Sequence, residues 1–365
     1  MYLQGQNGLL HTFRVSYRNR GVAGILASLS LIVFYLLLYF TSVLDASVAS
    51  LGFRNKWVFY GFLYTIAMLI GAAYYLSRHG NSRYNQLRIL INVSVQIVLA
   101  FTLPLVMPLF GGPEFYASYL WPLDWYKMHP GTLQSLPVFL AVYVILGSLV
   151  AAPLLAYFYG KRWYCSWVCG CGGLANTFGD PWRHLTATST RSWRFEQRAV
   201  HTVMFLAIAS TFLLILEHIL GASHDGFRRY VAGGQWWSLK SLYGAVVGSI
   251  LAGVVGTGLY PIFGPRVWCR NFCPMAALLG LWQKLGRFRI SVKPDMCISC
   301  GNCTTYCEMG IDVRSYAQSN QSFTRASCVG CGMCAHMCPR GVLRLENVSK
   351  RPRDKIRQGL PVVDL

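Results

Sequence analysis

The stretch "CISCGNCTTYC", residues 297–307, is followed twenty residues on by "CVGCGMCAHMC", residues 328–338. Each run spaces four cysteines as C-x-x-C-x-x-C-x-x-x-C. In a small secreted chain, thirteen cysteines would suggest a disulfide framework. Here they fall in four tight groups within 174 residues, and the first 164 residues hold none. Clustering of this kind points to metal ligation.

The rest of the chain is apolar and basic. Of 365 residues, 54% are hydrophobic and only 13% charged, too few charges for a soluble enzyme of this size. The net charge is +20. The basic residues flank apolar spans instead of gathering on one polar module. Orientation in a bilayer explains them, and nucleic acid is not expected as a partner.

Six stretches are long enough to cross a membrane: 22–43, 57–77, 89–110, 134–159, 199–221 and 242–263. The first follows Arg14, Arg18 and Arg20 and exceeds a signal-peptide core, so an anchor is expected and cleavage is not. The tail and the 78–88 and 160–198 loops hold twelve Lys and Arg; the alternate loops hold six. This bias predicts a multi-pass protein of the inner (cytoplasmic) membrane, with the N-terminus, both combs and the C-terminus in the cytoplasm. Aromatics in "FYASYLWPLDWY" (115–126) and "WW" (236–237) suit the opposite interface.

From Phe288 the composition turns polar and rich in Gly and Cys. About 60 residues bury little hydrocarbon, so such a domain needs another core. Three parts are therefore expected. Residues 1–288 form a transmembrane domain with two cysteine motifs at its cytoplasmic edge. Residues 289–346 form a ferredoxin-type domain, and 347–365 a basic tail. The expected fold class is an α-helical integral membrane protein of about six transmembrane helices, carrying a small α+β bacterial-type 2[4Fe–4S] ferredoxin domain.

Thiolates are the usual ligands of iron–sulfur clusters. In two-cluster ferredoxins the fourth Cys of one run ligates the other cluster. This assigns Cys297, Cys300, Cys303 and Cys338 to one [4Fe–4S] cluster, and Cys328, Cys331, Cys334 and Cys307 to a second. Small residues between ligands (Ser299, Gly301, Gly330, Gly332) let backbone amides approach the sulfurs. Pro339 follows Cys338 as the pattern expects, but Glu308 stands at the matching position of the first comb. Zinc ribbons use two C-x-x-C halves, not a triple comb with a fourth ligand.

An internal repeat adds more thiols. "GKRWYCSWVCGCGGL" (160–174) aligns with "GPRVWCRNFCPMAAL" (264–278) at a shift of 104. Gly160 pairs with Gly264, Arg162 with Arg266, Cys165 with Cys269 and Cys169 with Cys273. On a helix, positions i and i+4 share a face. The two pairs, brought together by the repeat, would make a third thiol site for a metal, a cluster or a redox-active dithiol. Arg162 and Arg266 would favour thiolates there.

With these motifs the chain resembles the NosR/NapH/CcoG-type membrane-bound polyferredoxins over roughly residues 134–346. Its layout is closest to NapH-like members. The second motif, "CRNFCP", is complete; the first, "CSWVCG", has Gly170 for Pro and an extra Cys171. The resemblance implies electron transfer between the quinone pool and a partner oxidoreductase. It leaves open a thiol-dependent copper reductase or assembly factor. An iron–sulfur sensor or scaffold is the third reading. An electron-transfer subunit is favoured over a stand-alone enzyme, and no catalytic residue is assigned. No Walker loop, G-x-G-x-x-G or hydrolytic triad is evident. "TATST" (186–190) reads as a polar loop. His201, Glu217 and His218 lie on the fifth span. The two histidines are seventeen residues apart, so one haem b cannot use both and haem is not expected. Asn92 and Gln96 share a face of the third span, where helix–helix hydrogen bonding is the ordinary role and a quinone headgroup the alternative.

Overall fold

The structure, a computed structural model, describes residues 9–220, 230–232 and 238–348. The Trp236–Trp237 pair and the basic tail lie outside the described residues. Among the described residues, five helices are long and apolar enough to cross a membrane. They are α1 (Leu9–Phe40, apolar from Val22), α2 (Lys56–His79), α3 (Arg83–Phe110), α4 (Val138–Tyr159) and α5 (Thr190–Leu220). The sixth expected span is shorter. Helix α6 (Leu239–Val255) ends early, and a turn leads to a helical turn at Tyr260–Phe263. Gly256, Gly258 and Pro261 account for the break: a Cβ at Gly256 would lie 2.2 Å from the Ala252 carbonyl and 2.8 Å from Trp268. Ser28 of α1 donates to the Gly258 carbonyl at 2.6 Å, sealing this weak point.

Helix α7 (Pro274–Leu285) packs on α4 and α5 and leads into the polar domain. There β1 (Phe288–Val292) pairs antiparallel with β2 (Leu343–Asn347), Ile290 opposite Leu345. Phe288, Ile290 and Val292 alternate inward, as a half-buried strand requires. The two strands bracket both combs. Between them lie only short helices, Asn302–Thr305, Val313–Gln318 and Met333–His336.

The combs repeat in conformation as well as sequence. Ser299 and Gly330 have φ of 58° and 59°; Gly301 and Gly332 have 81° and 80°. The chain turns left-handed at equivalent places to wrap each thiol set. The second comb docks on the helices. Tyr84 donates to the Gly330 carbonyl at 2.7 Å and Ser166 to the Val329 carbonyl at 2.7 Å. Gln283 of α7 donates to the Arg325 and Cys328 carbonyls. The first comb faces away, with Cys300 and Ile298 exposed.

Candidate functional site

The eight comb thiols surround two small cavities of about 20 Å³ each. Cys307, Cys328, Cys331 and Cys334 line the first, with Ile290, Ile311 and Phe323. Cys297, Cys300, Cys303 and Cys338 line the second. Each cavity thus has three thiols from one comb and the fourth from the other. As free thiols Cys307 and Cys328 are pushed up by burial, to about 12 and about 11. Their thiolates need a positive centre, which a metal cluster supplies. Among the described residues, no three of His, Cys, Asp and Glu converge closely enough for one metal ion. A tetrahedral zinc site would hold its sulfurs about 3.8 Å apart, given Zn–S bonds of about 2.3 Å. The three-plus-one sorting of ligands across the two combs is the pattern of two-cluster ferredoxins.

A second thiol group lies where the two halves of the repeat meet. Cys165, Cys169, Cys269 and Cys273 are buried in one core, within electrostatic reach of one another. The repeat holds in backbone geometry: Gly160 and Gly264 have φ/ψ of 73°/171° and 89°/170°. The motifs are not single helices, however. Cys165 ends the helical turn Arg162–Cys165, and Cys169 caps the next helix, Gly170–Asn176. Likewise Cys269 lies in Val267–Asn271 and Cys273 caps α7, its Sγ accepting from Ala276 N at 3.4 Å. Pro274 at the first helical position breaks the run. The i, i+4 face expected from sequence is replaced by a cap position, where a thiolate meets free amides.

The first motif packs against the middle of two of the apolar helices. Tyr64, about 12 Å along α2, donates to the Gly170 carbonyl at 2.9 Å. Gln96, midway along α3, donates to the Val168 carbonyl. Asn92 and Met68 press against Gly173, where a Cβ would lie 2.2 Å from the Asn92 amide oxygen. Gln96 and Tyr64 therefore hold this loop by hydrogen bonds, while Asn92 packs against it with its amide unpartnered. Irregular backbone between apolar helices needs polar partners from them.

Buried charges join the two thiol regions. Arg266 contacts Cys269 Sγ at 3.6 Å and donates to the Cys165 carbonyl at 3.3 Å. It also donates to Glu308 at 3.0 Å. Arg183 pairs with the other Glu308 oxygen at 2.8 Å and lies 4.0 Å from Cys331 Sγ. Burial alone would raise the Glu308 pKa, but Arg183 and Arg266 outweigh it and hold the carboxyl below its usual range. Arg162, by contrast, reaches Asn347 and the Phe288 ring. Lys161 is buried one helical turn before Cys165, whose N–H donates to its carbonyl at 2.9 Å. His201 Nδ1 donates to the Gln197 carbonyl at 2.6 Å, while His218 packs edge-on against His129, with ring centres 5.6 Å apart.

The fold and thiol geometry define a helical iron–sulfur protein with membrane-spanning segments. The 4Fe-4S dicluster domain family matches residues 296–343. A 4Fe-4S binding domain matches twice, over 141–185 and 246–293, the two halves of the internal repeat. Among curated relatives, the chain is 25% identical over 193 residues to "Putative electron transport protein YccM" of Escherichia coli (strain K12), covering 53% of this chain and 52% of that protein. It is 23% identical over 164 residues to "Uncharacterized protein MJ0749" of Methanocaldococcus jannaschii, covering 45% and 58%. The chain thus spans about half the length of the curated relatives it matches. No solved structure matches it. These matches support an iron–sulfur electron-transfer family.

Proposed function

We propose that the chain passes electrons between a membrane quinone and a partner oxidoreductase through two [4Fe–4S] clusters. Cys328, Cys331, Cys334 and Cys307 hold the cluster nearer the helices. Cys297, Cys300, Cys303 and Cys338 hold the outer one. The observation that carries this reading is the sorting of eight thiols into two cavities, three from one comb and one from the other. A cluster supplies one-electron chemistry; the residues here position it, exclude water and set its field. The inner cavity is apolar and docked on the helices, while the outer set includes the exposed Cys300. Electrons would enter or leave through the outer set, where a partner can reach it.

Cys165, Cys169, Cys269 and Cys273 would form a third site, a cluster between the repeat halves. Their shared core and the 4Fe-4S match over both segments support it. The Arg266–Glu308–Arg183 bridge links it to the inner set.

The test is metal analysis of the anaerobically purified full chain, followed by mixing with quinol. Two cubanes need at least eight irons and eight labile sulfides, and a third raises this to about twelve. Cys165→Ser with Cys269→Ser should return the count to about eight. Stoichiometric zinc without labile sulfide would overturn the cluster reading. Clusters that dithionite bleaches but no quinol does would overturn the quinone link.

A further inference from the structure

A cavity of about 650 Å³ lies among α1, α2, α3 and α6, on the far side of the thiol loops from the ferredoxin domain. Its volume is that of a small-molecule site, which ranges over about 300–1,000 Å³. Aromatic rings from four spans wall it, Tyr35, Tyr60, Phe101 and Tyr243 among them. At one end it touches Cys171, two residues on from Cys169 of the thiol quartet. At the other it meets Glu114 and Asp124, in the loop after α3.

Two of its lining residues carry a buried polar group without a partner. Tyr243 Oη and Trp268 Nε1 make no hydrogen bond, although the residues are only 7% and 6% exposed. Leaving such a group unsatisfied is costly. Trp268 can only donate, so its partner must be an acceptor. Trp268 also precedes Cys269, so a ligand accepting from it would lie beside the thiols.

We propose that this cavity is the quinone-headgroup site, the ring carbonyls accepting from Tyr243 and Trp268. The proposal rests on the quinone-linked reading above and adds where the quinone binds. A ring with two carbonyls fits the aromatic walls and matches both orphaned donors. A lipid acyl chain would leave both unmatched. Oxidation of one quinol breaks two O–H bonds, turns two C–OH groups into C=O, and frees two protons and two electrons. The two one-electron clusters of the ferredoxin domain take the electrons. The protons leave past the carboxylates Glu114 and Asp124. Because the cavity and the ferredoxin domain lie on opposite sides of the thiol loops, electrons and protons part in opposite directions.

Gly248 provides the test. It lines the cavity, and a Cβ there meets nothing within 4 Å, so Gly248→Leu fills space without a clash. The full chain in lipid nanodiscs is mixed with menadiol, and cluster bleaching is followed; menadione binding is read by tryptophan quenching. Gly248→Leu should slow bleaching and weaken binding at least tenfold. Tyr243→Phe with Trp268→Phe should weaken binding about tenfold. Iron content and bleaching by dithionite should stay unchanged in both. Wild-type bleaching and binding in Gly248→Leu would overturn this site while leaving the quinone reading standing. A wild-type chain bleached by dithionite but neither bleached by menadiol nor quenched by menadione would overturn the reading itself, and the site with it.

Discussion

Glu308 follows a cluster thiol at a position where the twin comb has Pro339, and it is fully buried. A carboxylate there persists because Arg266 and Arg183 each take one oxygen. Removing one partner of a buried ion pair costs about 3–5 kcal/mol, because the charge left behind has no counter-ion. Glu308→Gln should therefore loosen the ferredoxin domain from the helices by that order, seen as faster proteolysis between Phe288 and Cys297 and lower iron retention. A variant as resistant as wild type would contradict this. The depressed carboxyl pKa fixes the pH dependence. The stabilisation is present above the ordinary glutamate value of about 4.3 and is lost only as pH falls through the lower folded value. Docking should thus hold at pH 5. In the sequence Glu308 was visible as a departure from the pattern. Its role was not, since its partners lie 42 and 125 residues away, on segments that only folding brings together. Arg162 fails in the opposite way: alignment equates it with the buried Arg266, yet it turns outward to Asn347. Lys161 holds the buried position instead, with no signal in the repeat.

At the scale of elements, spacing and glycine carry the fold. The combs and the 104-residue repeat were legible because ligand spacing and the Gly160/Gly264 match are local features. The break inside each C-x-x-x-C motif was not, because a helical i, i+4 reading fits the same letters; only Pro274 signalled a cap, and the first motif has Gly170 there. The docking of the first loop midway along α2 and α3 was hidden too. It depends on Tyr64 and Gln96, which donate to the Gly170 and Val168 carbonyls, and not on the helix–helix hydrogen bonding that sequence suggested for Asn92 and Gln96. The sixth span was read too long, through glycines that end α6. Glycine positions give a contrasting pair of variants. Gly160 has φ of 73°, and a Cβ there would lie 2.7 Å from Phe288. Gly160→Ala should cost more than the 1–3 kcal/mol of backbone strain alone, as a large fall in thermal midpoint. Gly244 is helical with nothing within 4 Å of a Cβ. Gly244→Ala should be neutral or stabilising by up to about 1 kcal/mol. Equal melting of the two variants would contradict the account of the thiol loops.

Across the whole molecule, redox-capable groups lie in one order: aromatic cavity, membrane thiols, inner comb set, outer comb set. The Arg266–Glu308–Arg183 bridge spans the middle of that line, and the exposed first comb ends it. The twelve-to-six bias in basic residues predicts that this line crosses the bilayer with the ferredoxin domain inside. Reporter fusions at residues 48 and 120 should read outside, and those at 83 and 360 inside. An outside signal at 360 would contradict the cytoplasmic placement of the ferredoxin domain. The central claim, that two four-thiol sets hold clusters close enough to exchange electrons, is tested most directly by EPR of the fully reduced chain. Two [4Fe–4S]⁺ centres in one small domain should give a broadened, spin-coupled signal, integrating to about two spins per chain once Cys165→Ser and Cys269→Ser remove the third site. In that background it should collapse to a narrow signal of about one spin when Cys297→Ser and Cys300→Ser are added. A wild-type spectrum without coupling, or no signal from a chain that carries zinc, would contradict the account.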